Sequence, residues 1–176
     1  MASRTSHNSP SPTAELSRFL VELANKIDSR LLDLAHYRLA DTTAAMVFGC
    51  GLPWARAVID HALSLNSTGK STVVGSSGIS ANPVMAALAN GTSAHAFELD
   101  DVHEEAINHP GAVVVPVALA LAEELNRSGR ELLEAIVIGY EAMGRAGIAV
   151  GPVSHMLSGF HPTSMSGVFR ATAAAS

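Results

Sequence analysis

Apolar residues recur at helical spacing through most of the chain. Leu16, Phe19, Leu20 and Leu23 share one face of a first helix that Thr13 opens as N-cap. A second pattern runs from Ser29 to Phe48 through Leu31, Leu32, Ala35 and Leu39, and Gly49 and Gly51 close it. Pro53 stands in the first turn of a third helix reaching Leu65, before the turn-rich stretch 66–70. Val73-Val74 predicts a short extended piece within Ser71–Gly75, followed by a loop from Ser76 to Ser80. Asn82 as N-cap and Pro83 at N1 open an alanine-rich helix to Phe97. Acids, amides and a proline interrupt the pattern over 98–110. Helix resumes from Gly111 to Asn126, and Ser128-Gly129 turns the chain into a long helix from Arg130 to Val150. Gly151 to Pro162 predicts a loop, with a last Ala-rich helix capped by Thr163.

Helix follows helix without βαβ alternation, so the expected class is all-α. No fixed-period repeat is present, which excludes a solenoid. Residues 1–13 are rich in Ser and Pro and read as a disordered tail, with an organelle-directing leader as the alternative. The domain is then 14–176. Because Ser176 falls inside a helical pattern without a stop signal, the expectation is a truncated domain that is inactive on its own.

Composition narrows the chemistry. With 176 residues, 48% of them hydrophobic, the chain can bury one core. A net charge of −5 and no Lys/Arg cluster argue against a nucleic-acid partner. No apolar run reaches transmembrane length and no secretory core is present, so no membrane partner is expected and the location is read as cytoplasmic, with mitochondrial as the alternative. Cys50 is the single cysteine, which excludes an internal disulfide and an iron–sulfur cluster held by three or four thiolates of this chain.

Five of the eight histidines lie in the second half, and His95, His103 and His109 interleave with Glu98, Asp100, Asp101, Glu104 and Glu105. One reading is a metal site built from His95, Glu98 and Asp100 to His103, but no HExxH-type pair occurs. The other is acid–base chemistry, in which a carboxylate orients a histidine that moves a proton beside a substrate carboxylate. His109 precedes Pro110-Gly111 and a helix N-terminus, where free N–H groups and the helix dipole favour an anion. His161, ahead of Thr163, repeats the device. The same strings also read as ordinary loop punctuation, and the acidic run as a solvated turn. His36 and His61 read as structural. No G-x-S-x-G elbow supports a nucleophile.

The string from Ala86 through Gly91, His95, Glu98, Asp100-Asp101-Val102-His103 and Asn108-His109-Pro110-Gly111 to Pro116 and Glu123 resembles the MmgE/PrpD family. The resemblance extends back to Leu39-Ala-Asp41-Thr42 and on through Gly139-Tyr-Glu141 and Gly159-Phe-His161-Pro-Thr163, covering residues 14–176. That family contains 2-methylcitrate dehydratase, cis-aconitate decarboxylase and an iminodisuccinate epimerase. The resemblance implies the family's helical domain, truncated before an α+β lid domain, and a homodimer in the full-length form. It also implies a lyase of the 2-methylcitrate dehydratase type acting on a small tri- or dicarboxylate without metal or cofactor. Decarboxylation, epimerisation and a non-catalytic dimerisation module are the alternatives, and a metal hydrolase is a further one. His109, His161, Asp100 and Asp101 are the expected catalytic group. Glu98, Val102, His103, Gly111 and Thr163 are the expected substrate contacts. Glu98 and Val102 stand where family decarboxylases tend to carry aspartate and threonine, and Arg170 where small residues are usual.

Overall fold

The computed structural model describes residues 11–65 and 68–175, with eight helices and one small two-stranded sheet among them. The expected tail falls outside the described residues up to position 10, as does the Arg170 side chain.

Helix α1 is Pro12–Ala24, one turn-start earlier than expected, because Ser11 rather than Thr13 is the N-cap and accepts from the Ala14 N–H. Helix α2 is Ser29–Gly49 with Asp28 as N-cap, and α3 is Pro53–Ser64. Strands β1 (Ser71–Thr72) and β2 (Ser80–Ala81) pair antiparallel. The sequence pattern left β2 as loop because Ser80-Ala81 has no β propensity of its own; its pairing depends on tertiary contacts. Buried Asn90 accepts from the Val74 N–H and donates to the Thr72 carbonyl, while Ser71 Oγ donates to the Ala120 carbonyl. These bonds fasten the strands to the helices on either side.

Helix α4 is Pro83–His95, α5 Gly111–Glu124 and α6 Gly129–Ala149. Ser128 and Glu131 form a capping box at the start of α6, and the bonds from Ser128 hold the Glu131 carboxyl below its usual range. Two elements depart from the expected loop at 151–162. Pro152–Leu157 forms a short α7, and α8 starts at Pro162 and runs to Ala175. Thr163 therefore lies within the first turn and is not its cap.

The core has two parts. Met46, Ala94, Val114, Val115, Ile136 and Met143 fill the main cluster between α2, α4, α5 and α6. Ile59, Ala62, Val73, Ala86, Ala89 and Ala120 fill a second under α3 and the sheet. Small side chains set the spacing: a methyl on Gly91 would come within 2.9 Å of the Ala112 carbonyl oxygen of α5. Among the described residues no single helix is long and apolar enough to cross a membrane.

Candidate active site

The loop between α4 and α5 carries Asp100 and Asp101, and the two carboxylates bind different partners. Asp101 Oδ1 accepts from the Gly111 N–H at 2.8 Å, the first free amide of α5, and its Oδ2 accepts from Tyr140 Oη at 2.9 Å. Arg38 Nη1 of α2 lies 3.7 Å from the same oxygen. Burial, and then the Asp101 charge, pushes the Tyr140 hydroxyl far above its ordinary value, so it remains a donor to that carboxylate. Asp101 thus ties the loop to α2, α5 and α6.

This corrects the expected role of Gly111. Its N–H is not free for a substrate anion; the internal carboxylate of Asp101 already occupies that end of the helix dipole. Glycine is needed here because a Cβ would collide with Thr42 Oγ1 and Asp101 Oδ1.

Asp100 serves the histidines. Its side chain is fully buried, and His95 Nδ1, at the end of α4, lies 3.1 Å from both of its oxygens. His109 Nδ1 lies 3.3 Å from Oδ2. That nitrogen is shut off from solvent and completes no aligned hydrogen bond, so its link to Asp100 is a close approach of charge and ring rather than a bond. An N–H at Nδ1 facing a carboxylate leaves Nε2 as the working nitrogen. The His95 ring packs edge-on to His109 at 4.6 Å and to His161 at 5.9 Å between centroids. Thr163 Oγ1 accepts from the His109 N–H at 3.1 Å, which joins the start of α8 to the loop and brings His161 to the group. Of the three rings, His95 lines a cleft of about 650 Å³ between α3, α4, α5 and α8, together with Trp54, Thr92, Val113 and Thr163.

The structure therefore brings His109, His161, Asp100 and Thr163 together and leaves other expected members outside. His103 accepts from the Ala106 N–H through Nδ1, packs on Gly144 and lines a different groove with Arg38 and Tyr140. Its pairing with Asn108 across the loop turns it toward α6 and away from the His95 cluster. Glu98 and Val102 are exposed, Glu98 on a left-handed backbone with φ of 52°, and Glu98 acts on His95 only through its charge. The metal reading drew on Glu98 and His103, which do not join the cluster. His95, Asp100 and His109 lie within 4.8 Å of one another, a spacing that would admit a cation.

Sequence reasoning missed Tyr140 and Arg38, and it placed His95 only in the metal alternative. His95 had a local signal, since it ends a helix five residues before Asp100. Tyr140 and Arg38 had none, because their helices meet the loop only in the folded state.

Asp100, acting chiefly through its hydrogen bond, raises the His95 pKa above the ordinary 6.5, and Glu98 adds to the shift against partial desolvation. The folded state then holds this proton more tightly than the unfolded chain does. The associated stability is present below the ordinary value and is lost as pH rises through the folded one. Urea midpoints for the wild type are expected to fall between pH 6 and pH 8 by more than those of Asp100→Asn. Equal pH dependence in the two proteins would refute the assignment.

Fold and site together define the class: a helical domain in which a buried carboxylate anchors an imidazole at one cleft. The chain belongs to the MmgE/PrpD family, whose N-terminal domain matches residues 14–176. It is 31% identical over 155 residues to a cis-aconitate decarboxylase of Aspergillus terreus, covering 85% of this chain and 31% of that protein. The human cis-aconitate decarboxylase is 32% identical, with 85% of this chain and 32% of that protein covered. A cis-aconitate decarboxylase-like protein of Aspergillus oryzae, oryM, is 31% identical over 93% of this chain and 36% of its own length. The chain spans about a third of the length of these relatives.

Proposed function

We propose that this chain supplies the histidine-bearing part of a lyase site that moves a proton beside a carboxylate of a small tri- or dicarboxylic acid. The observation that carries the reading is buried Asp100 flanked by two imidazoles, His95 Nδ1 at 3.1 Å and His109 Nδ1 at 3.3 Å, with His95 lining the cleft and the His161 ring 5.9 Å from it. In a decarboxylation the carbon–carboxylate bond breaks, carbon dioxide leaves with the electron pair retained on the substrate, and an imidazolium returns a proton to carbon. In a dehydration the imidazole takes a proton from carbon, and the hydroxyl leaves as water after receiving a proton. Both routes pass through negative charge on the substrate and so need a donor that is in place beforehand.

The names of the relatives support cis-aconitate as the first acid. The substitutions at Glu98 and Val102 favour keeping dehydration of 2-methylcitrate as the second. Titration of each acid into protein labelled with 15N-histidine is expected to shift the ring nitrogens of His109 and His161 saturably, whereas acetate leaves them in place. A slow product signal in 1H NMR names the reaction: itaconate for decarboxylation, 2-methylaconitate for dehydration. If neither acid moves either ring, the reading fails. His109→Gln is expected to remove about 10²–10⁴-fold of any turnover observed, the usual contribution of a positioned general acid or base.

A further inference from the structure

The wild-type arrangement leaves one imidazole without an assigned task. We propose that His95 is a substrate-binding residue, anchored through Nδ1 to Asp100 and presenting Nε2–H to a carboxylate of a di- or tricarboxylic acid in the cleft. The inference deepens the reading above and rests on it.

Three observations carry it. His95 Nδ1 is fully engaged, equidistant at 3.1 Å from both oxygens of a carboxylate that has no exposure of its own. This two-point hold fixes the ring plane, and the opposite edge of the ring carries Nε2. Among the described residues that nitrogen has no hydrogen-bond partner and is not among the buried unpartnered atoms, in keeping with the 29% exposure of the side chain. Finally, His95 is the histidine that lines the cleft, with the His109 ring 4.6 Å and the His161 ring 5.9 Å from its own.

The need for such a donor is chemical. The cleft lining among the described residues is largely apolar, with Trp54, Leu88, Ala112, Val113 and Val117, and it contains no lysine or arginine. Among the described lining residues, the group able to offer positive charge to a polyanion is the His95 imidazole. The groups facing His95 are Asp100 and Glu98 from its own loop, His109 ahead of α5 and His161 ahead of α8. The two acids keep His95 protonated to higher pH, which suits it to hold a carboxylate. One buried aspartate would then serve two imidazoles in different roles: binding at His95 and proton transfer at His109.

The test uses the 176-residue protein and tricarballylate, a tricarboxylate with neither a hydroxyl to eliminate nor the double bond of cis-aconitate. Calorimetry should give a Kd that weakens as pH rises from 6 to 8, with the His95 Nε2 resonance moving on binding. His95→Phe should weaken binding at pH 6 by about tenfold or more, as loss of a charge-assisted hydrogen bond does. His95→Gln, whose amide reaches the position of Nε2, should restore part of the affinity without the pH dependence. His95→Asn, whose shorter amide replaces only Nδ1, should not restore it. Far-UV circular dichroism identifies any variant that fails to fold, and in that case the movement of the wild-type His95 resonance decides. Wild-type binding with a stationary His95 signal, or equal affinity in folded His95→Phe, overturns this inference and leaves the lyase reading intact. Failure of the wild type to bind any of the acids removes both.

Discussion

Asp101→Ala is expected to destabilise the fold by about 3 kcal/mol or more, the sum of two orphaned donors at roughly 1–3 kcal/mol each and a lost N-terminal charge at roughly 0.3–1 kcal/mol. The side chain is only 7% exposed, so water does not readily take its place. Without it the Gly111 N–H and the Tyr140 hydroxyl lose the acceptor that both share, and Arg38 loses its counter-charge. For a domain with a typical stability of about 5–15 kcal/mol this is a large fraction. The loss extends to the site, because the same bonds hold the loop that carries Asp100 and His109. Urea unfolding followed by circular dichroism measures it, and 15N-histidine spectra should show His109 broadened even where the variant remains folded. Tyr140→Phe removes one donor together with one bond and should cost only about 1 kcal/mol. An Asp101→Ala midpoint equal to that of wild type would mean that the loop is held by something else.

Gly49→Ala is the second large effect, and its cause is steric. A Cβ at this position would fall on the Ser93 carbonyl oxygen of α4 and within 3.2 Å of the Ala96 Cβ. The obstacle is backbone, so no side-chain rotation relieves it; α2 and α4 must separate. Overpacking of this kind costs about 1–3 kcal/mol where side chains can give way, and the rigid neighbour places this substitution at or above the upper end. Because His95 ends α4 two residues beyond Ser93, the displacement should also shift the His95 ring signals. Gly129→Ala is the internal control. That position has no neighbour within 4 Å and lies at the start of α6, so the substitution should be neutral or stabilising by up to about 1 kcal/mol. Thermal melts of the pair separate a close helix contact from a general dislike of alanine at glycine positions.

The sequence by itself determined the local structure and one half of the site. Helical spacing of apolar residues, together with prolines and caps such as Asn82-Pro83 and Ser128-Gly129, placed seven of the eight described helices, because caps and periodicity act within a few residues of the chain. It missed α7, whose six residues are too short to display a period, and β2, which exists only by pairing with β1. At the site, the acid-and-histidine string offered candidate groups by residue type, and Asp100 lies beside His109 while His161 lies near His95. The roles within that string were decided only by the tertiary structure. Asp100 and Asp101 are neighbours of identical chemistry, yet one is surrounded by imidazoles and the other by an amide, a phenol and a guanidinium. His103, six residues from His109, lies against Gly144 in another groove, whereas His161, fifty-two residues away in sequence, lies close to His95. Sequence proximity fixes which groups are available. Which of them share a cleft depends on how α4, α5, α6 and α8 pack, and that packing is set by small residues such as Gly49, Gly91 and Gly139 that admit close helix contact.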